Sequence, residues 1–487
     1  MIEAPNVDVL AIAPEISLLV GASLVLMVAA FLRGRDRGIG VVLGIAAFAV
    51  SAGFAIAAWG DPPVVTVAEA LQVDQLTQAV RILVAGCGIL TLLVALGWPR
   101  MREAGAEYAA ILLFAATGMT LIAGSNSFVT LFVALELFSI SLYVLCAFDR
   151  SSKASLESGF KYLVLGTIGS IILVYGAAFL YGATGSFQFD GVAAGLAEAE
   201  PGAWLVALGV VLVLAGLLFK IGALPFHMWV PDVYEGAPSS VTGFMAAATK
   251  IAAFVALARV LAEPLAPVRD TWEPVLVVVA VATIVVGNVA ALVQDNVKRM
   301  LAYSSIAAAC FGLIAIIVGG EAGSRALLFY LAAYAPMAIG AFAVITLHER
   351  DHRGITTLES IRAWGFERPF AGLAMVVFLL GFAGFPLTAG FLGKFLVAGS
   401  AVESGWAWLA VVGAIGSVIG IAYYLRVILA LYDRSARSGV HAAGAPGLAS
   451  VSIAIALCLA LVIAGGVLPG IGIDWAGEAA RVLAAGR

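Results

Sequence analysis

Charge is what this chain has least of. Only 11% of its 487 residues are Asp, Glu, Lys or Arg, against 63% hydrophobic residues and a mean hydropathy of +1.08. A soluble globule carries charge on about a quarter of its residues, so that class is excluded. Cysteine is also sparse: Cys87, Cys146, Cys310 and Cys458 stand singly on apolar segments. They lack the CxxC spacing of iron-sulfur and zinc sites and read as packed thiols. Of the four histidines, His348 and His352 fall in a charged loop and His441 in a Gly/Ala-rich one, so no pair is left to ligate a haem within the membrane. Strands of alternating polarity are missing, which argues against a membrane barrel. No glycine-rich phosphate loop follows a strand. The chain is therefore expected to hold no redox cofactor, nucleotide or metal, and to bind no nucleic acid.

What is present is a succession of apolar runs. A helix needs roughly 20 apolar residues to cross the hydrocarbon core, and fourteen candidate spans are centred near residues 21, 49, 86, 116, 137, 170, 215, 250, 282, 309, 336, 385, 419 and 458. The expected fold is an all-α polytopic membrane protein. The start, MIEAPNVDVLAIAPEISLLV, has acidic residues and no basic n-region, so the first span is expected to persist rather than be cleaved as a signal peptide.

Basic residues set the orientation. If the connection holding Arg33, Arg35 and Arg37 is cytoplasmic, that side gathers fifteen Lys and Arg, among them Arg100, Arg102, Lys298, Arg299, Arg353 and Arg437. The other side holds four: Arg269, Arg325, Arg481 and Arg487. The asymmetry predicts an even number of spans with both termini outside the cytoplasm.

Six lysines occur in all, and Lys161, Lys220, Lys250 and Lys394 lie inside stretches apolar enough to span. A lysine at the centre of a membrane helix costs about 2.5 to 3.5 kcal/mol on insertion scales, which makes each a functional candidate. Two of them sit beside broken spans. The seventh span reads LLFKIGALPFHMWVPDVYEGAPSSV, with Lys220 five residues before Pro225; the twelfth reads LLGFAGFPLTAGFLGKFL, with Lys394 eight after Pro386. Proline removes a backbone hydrogen bond, and carbonyls freed in a membrane need water or side-chain partners. Interrupted helices at matching positions in two halves point to inverted repeats around a path near the midplane. Five helices per repeat give the two copies opposite topology.

Glu136 falls near mid-membrane on the fifth span, and Glu136 and Lys220 are natural partners. Lys250 offers a second positive charge able to push a proton off Lys220 or draw one on. Lys161 follows Glu157 by four residues, the favourable order for a helical ion pair; modulation of the site and anchoring of the helix end both remain open. His227 suits a cytoplasmic proton relay or a structural hydrogen bond equally. Tyr330 and Tyr334 read as packing, Arg81 as an interior residue with Asp74 as its partner, and Arg426 as snorkelling to the interface.

At these residues the chain resembles a known family. The runs VALELFSISLYVL, LPFHMWVPDVYEGAPSSVTGFMAAATKIAAF, VQDNVKRMLAYSSIA and GFPLTAGFLGKF are similar to the antiporter-like N-type subunits of the bacterial proton-pumping NADH:quinone oxidoreductase, respiratory complex I. Relatives include its L-type and M-type subunits and the Mrp cation/proton antiporters. YEGAPSSVT, TKIAAF and Lys394 resemble the N type, M being expected to carry glutamate at the last position. The L type is disfavoured because no long lateral helix is expected after the fourteenth span.

The resemblance implies helices 1 to 3 over residues 1–107, a first repeat of helices 4 to 8 over 108–270, a second of helices 9 to 13 over 271–435, and helix 14 over 436–487. It implies that Glu136 and Lys220 form the ion pair of the first half, that Lys250 links the halves, and that Lys394 is the terminal protonatable lysine, with Lys161 and His227 secondary. Flavin, iron-sulfur clusters and quinone would belong to other subunits. Partners would be M-like and K-like membrane subunits and lipid, in the bacterial inner membrane. One departure is that the eleventh span lacks the histidine expected in L and M, leaving tyrosine or water for a relay there. A standalone Na+(K+)/H+ antiporter and a scaffold are the competing expectations.

Overall fold

Without water to solvate the backbone, long apolar runs close their hydrogen bonds within themselves as helices. The computed structural model describes residues 7–32, 38–98, 101–198, 204–352, 354–436 and 448–485. Arg33, Arg35, Arg37, Arg100, Arg353, Arg437, His441 and Arg487 lie outside them, as does the side chain of Arg102.

The chain opens with α1 (Ala13–Leu32) and α2 (Ile39–Ala57). A hairpin of β1 (Val64–Thr66) and β2 (Leu71–Val73) follows, antiparallel with Val64 opposite Val73. This small sheet was not expected; it lies in a connection and is only three residues per strand. Next come α3 (Gln75–Ala95), α4 (Met101–Ala123), α5 (Phe128–Cys146), α6 (Lys153–Thr184) and the short α7 (Phe189–Ala197). The first interrupted crossing is α8 (Trp204–Ile221) with α9 (Trp229–Gly236). It leads into α10 (Ser239–Phe244), a π-helical turn (Met245–Thr249) and α11 (Lys250–Ala262). Then follow α12 (Arg269–Leu292), α13 (Val297–Val318), α14 (Gly320–Asp351) and the single turn α15 (Trp364–Glu367). The second interrupted crossing is α16 (Pro369–Ala383) with α17 (Ala389–Glu403), before α18 (Ala407–Leu431), α19 (Leu448–Val467) and α20 (Pro469–Ala485).

Among the described residues, thirteen helices are long and apolar enough to cross a membrane. The pair α16 and α17, of 15 residues each, makes a fourteenth, interrupted crossing. Polar caps mark several starts: Asp74, Ser127, Asn296 and Thr388 each accept a backbone N–H from the first turn of the helix they precede. The crossing from Ser239 to Ala262 is buried throughout, with α13 and α14 nearly so, whereas α1, α18 and α19 expose most of their apolar surface. All four cysteines are free and buried, as their sequence settings predict.

Three expectations are corrected. His348 does not lie in a loop: α14 runs 32 residues to Asp351, so His348 belongs to its buried end and stacks at 4.2 Å on His352, the residue that follows the helix. Asp74 is not the partner of Arg81. It caps α3 through Oδ1 and accepts Arg259 Nη2 on Oδ2 at 2.6 Å, while Arg81, two turns along, turns to Glu15 of α1. A further helix, α20, follows the last crossing and packs on α3 and α14; Trp475 stacks on Trp59, whose indole donates to Glu478.

Both guanidinium groups are sealed inside, Arg81 at 2% exposure and Arg259 at 1%. Arg81 donates from Nε to Glu15 Oε1 at 2.8 Å and from Nη2 to Oε2 at 2.6 Å. Removing one partner of such a pair strands a buried charge. Glu15→Ala is therefore expected to lower stability by about 3–5 kcal/mol, and replacing Glu15 and Arg81 together by leucine to recover most of it; thermal unfolding in detergent measures both.

Candidate functional site

The first break is built so that each freed backbone group finds a partner. Helix α8 ends at Ile221, and Gly222 turns the chain at φ +75°, a region open to glycine. The Leu224 N–H donates to Thr283 Oγ1 of α12 at 3.0 Å, and the Phe219 carbonyl accepts the Trp229 indole N–H at 2.9 Å. In the second break Gly384 plays the turning role at φ +86°, and Thr388 restarts the helix as N-cap. Here the lysine itself supplies the donor: Lys394 Nζ lies 2.6 Å from the Phe382 carbonyl.

Lys220 is buried at 2% exposure and donates to Ser139 Oγ of α5 at 2.9 Å, surrounded by the rings of Phe138, Tyr143 and Phe219. Glu136 accepts from Ser170 Oγ of α6. The expected direct contact between Glu136 and Lys220 is thus replaced by a shared neighbourhood. Ser139 stands one turn beyond Glu136 on the same face of α5 and meets the ammonium first, while Glu136 leans to α6. Lys250 begins α11 directly after the π-helical turn, donates to the Ser305 carbonyl of α13 and lies 5.1 Å from the Tyr334 ring centre. Single π turns recur at functional sites, and no composition signal announced this one.

The second half continues the polar line. Ser304, beside Ser305, shares a hydrogen bond with Tyr424 of α18. Tyr423 donates to Asn288 Oδ1 at 3.1 Å. These groups line a cavity of about 20 Å³ together with Lys394 and Ser417, the latter 3.0 Å from Lys394 Nζ. That is room for about one water. Phe311 lies 4.9 Å below the Lys394 ammonium, and its ring neighbours Tyr330, which in turn neighbours Tyr334. Tyr330 and Tyr334 therefore pack, as expected, between the surroundings of Lys250 and those of Lys394. Among the described residues, no carboxylate lies within 4.0 Å of Lys220, Lys250 or Lys394.

Lys161 is placed differently. It is 40% exposed, and pairs with Glu157 at 2.7 Å and Asp232 of α9 at 2.9 Å. Asp232 also accepts Arg299 of α13 at 2.6 Å, and Arg299 reaches Glu235 at 3.0 Å. His227 lies in the first break with its Nδ1 buried and unpartnered. Arg426, 36% exposed, reaches the Leu292 carbonyl and the exposed Asp295. Sequence reasoning passed over Ser139, Ser170, Asp232, Asn288, Ser417 and Tyr424; a polar residue one turn from a buried charge was the signal available for Ser139.

Two interrupted crossings, each closed around a buried or half-buried lysine, define a polytopic membrane protein of the antiporter-like class. A family profile described as "NADH:quinone oxidoreductase/Mrp antiporter, TM" matches residues 125–420, and the chain belongs to that family. It is 40% identical over 423 residues to a Laribacter hongkongensis protein, covering 86% of each chain, and 41% identical over 429 residues to one from Sphingopyxis alaskensis, covering 87% and 89%. Both relatives are named NADH-quinone oxidoreductase subunit N. Among solved structures it is similar to a chain of respiratory complex I from Thermus thermophilus, with 32% identity and a TM-score of 0.80 over 95% of this chain and 98% of that one. A chain of the Mrp complex from a Dietzia species shares the fold at 19% identity, with a TM-score of 0.80 over 96% and 97%.

Because Lys394 is the donor to the Phe382 carbonyl, Lys394→Met leaves that acceptor buried and unsatisfied. A loss of about 1–3 kcal/mol is expected, read as a lower midpoint of thermal unfolding in detergent.

Proposed function

We propose that this chain is a proton-translocating membrane subunit of an NADH:quinone oxidoreductase, and that redox chemistry in other subunits drives protons through it. The observation that carries this reading is the run of buried cationic and polar groups from Glu136 and Lys220, through Lys250 on Ser305, to the Lys394 cavity. Such groups cost free energy in a membrane interior and are kept where ions or protons pass. Near-full-length similarity to proteins named subunit N supports assignment to the redox complex rather than to a standalone Na+(K+)/H+ exchanger, since likeness to the Mrp chain rests on fold.

In this mechanism Lys220 and Lys394 hold and release protons at the two breaks. Ser139 orients the Lys220 ammonium and Ser417 that of Lys394. Lys250, joined to α13 and faced by Tyr334, carries the electrostatic influence of one half to the other. Glu136 supplies the negative charge that favours an ammonium at Lys220. Lys161 and His227 act at the cytoplasmic approach. The two halves, residues 108–270 and 271–435, act as inverted repeats, with K-like and M-like subunits alongside, both termini on the periplasmic face of the bacterial inner membrane, and flavin, iron-sulfur clusters and quinone in other subunits. The first of these boundaries falls within α4, which begins at Met101.

Lys220→Ala is expected to abolish proton pumping and depress NADH:quinone turnover while the complex still assembles. Normal pumping in that variant would overturn the reading, as would migration of this chain in mild detergent without NADH:quinone activity. Reporter fusions at each end are expected to place both termini outside the cytoplasm.

A further inference from the structure

We propose that Asp232 is a positioning residue for proton transfer at Lys220, acting through a clasp that ties α9 to both halves of the chain. The inference rests on the proton-translocation reading above, and adds to it a residue outside the line of Lys220, Lys250 and Lys394.

Helix α9 has only eight residues, with the break on one side and Ala237–Pro238 on the other. A helix that short is not stable by itself, so its place is set by what its side chains grip. Asp232 grips twice: Oδ2 accepts Lys161 of α6, and Oδ1 accepts Arg299 of α13. Glu235, one turn on, accepts Arg299 and Asn296 at 3.0 and 3.1 Å. Helix α9 is thereby tied to α6 in the first half and to α13 in the second through one carboxylate.

The same two elements meet again one turn deeper. Trp229 precedes Asp232 by three residues and shares its face of α9, and Tyr162 follows Lys161. Their rings stack with centres 4.5 Å apart. Trp229 also donates to the Phe219 carbonyl, immediately before Lys220, and Tyr162 meets Tyr143 edge-on at 4.8 Å. The Tyr143 ring centre is 5.9 Å from Lys220 Nζ. Any shift of α9 at Asp232 is thus passed to the Phe219 carbonyl, next to Lys220 in the chain, and to the Tyr143 ring beside its ammonium.

The clasp is poorly suited to a purely structural role. Asp232 is 34% exposed and Lys161 40%, and partly exposed pairs of this kind contribute little to stability. What the clasp determines is where α9 sits, not whether the chain folds.

The test replaces Asp232 by Asn in the intact complex in native membranes, beside Asp232→Glu, Arg299→Met, the Asp232→Asn/Arg299→Met double variant and Lys220→Ala. Asp433→Asn, which removes an equally exposed carboxylate from Arg362 far from the breaks, is the control. Expected for Asp232→Asn are normal assembly, turnover lowered about tenfold, within the loss that a 1 Å misplacement can cause, and a displaced pH profile. Asp232→Glu should recover most of the activity, the double variant should be no worse than the single, and Asp433→Asn should match the wild type.

Unchanged turnover and pH profile in Asp232→Asn, with pumping lost in Lys220→Ala, would overturn this proposal alone. Normal pumping in Lys220→Ala would instead overturn the translocation reading. An equal loss in Asp433→Asn would also count against the proposal. Should Asp232→Asn fail to assemble, Arg299→Met, which leaves the carboxylate paired with Lys161, carries the same test.

Discussion

The constraint on which the rest of this structure depends is that a helix interrupted inside a membrane must find partners for the backbone groups it releases. The two breaks meet it in different ways. In the first, the freed Phe219 carbonyl takes the Trp229 indole, leaving the neighbouring Lys220 ammonium to Ser139. In the second, Lys394 takes the Phe382 carbonyl itself. A lysine that must hold a carbonyl in place is less free to turn than one whose carbonyl is held by a tryptophan. The two halves therefore carry similar residues in unequal mechanical settings.

Charge is distributed by the same logic. Arg81 and Arg259 each have a close carboxylate, Glu15 and Asp74, and these pairs lock α1 to α3 and α3 to α11. The lysines of the axis are satisfied by hydroxyls, carbonyls and ring faces instead, none of which neutralises an ammonium. The fold thus separates charges closed by a carboxylate from charges held by neutral groups. The π-helical turn that presents Lys250 belongs to the second set, since it lies in the most deeply buried crossing and directs the lysine to α13 and Tyr334.

Much of this was visible in the residues alone. Hydropathy counted the crossings because backbone satisfaction leaves the chain few choices, and Gly and Pro marked both breaks for the same reason. The i to i+4 pair of Glu157 and Lys161 followed from helical spacing and is present at 2.7 Å. Partners across helices were a different matter. Asp74 was assigned to Arg81 by closeness in sequence, yet it meets Arg259, 185 residues away. Glu136 was assigned to Lys220 by charge, yet Glu136 meets Ser170 and Lys220 meets Ser139. Asp232 looked like one more polar residue after a proline because nothing local signals that α6 and α13 converge on it.

The sequence by itself determined that this chain crosses a membrane about fourteen times, where two crossings are interrupted, and which lysines lie within apolar surroundings. Those properties depend on composition and spacing along one segment at a time. Only the tertiary structure decided which hydroxyl, carbonyl or carboxylate each charge meets. The physical reason is that such partners lie on other helices, brought together by packing, and a displacement of a few ångströms separates a hydrogen bond from no contact at all.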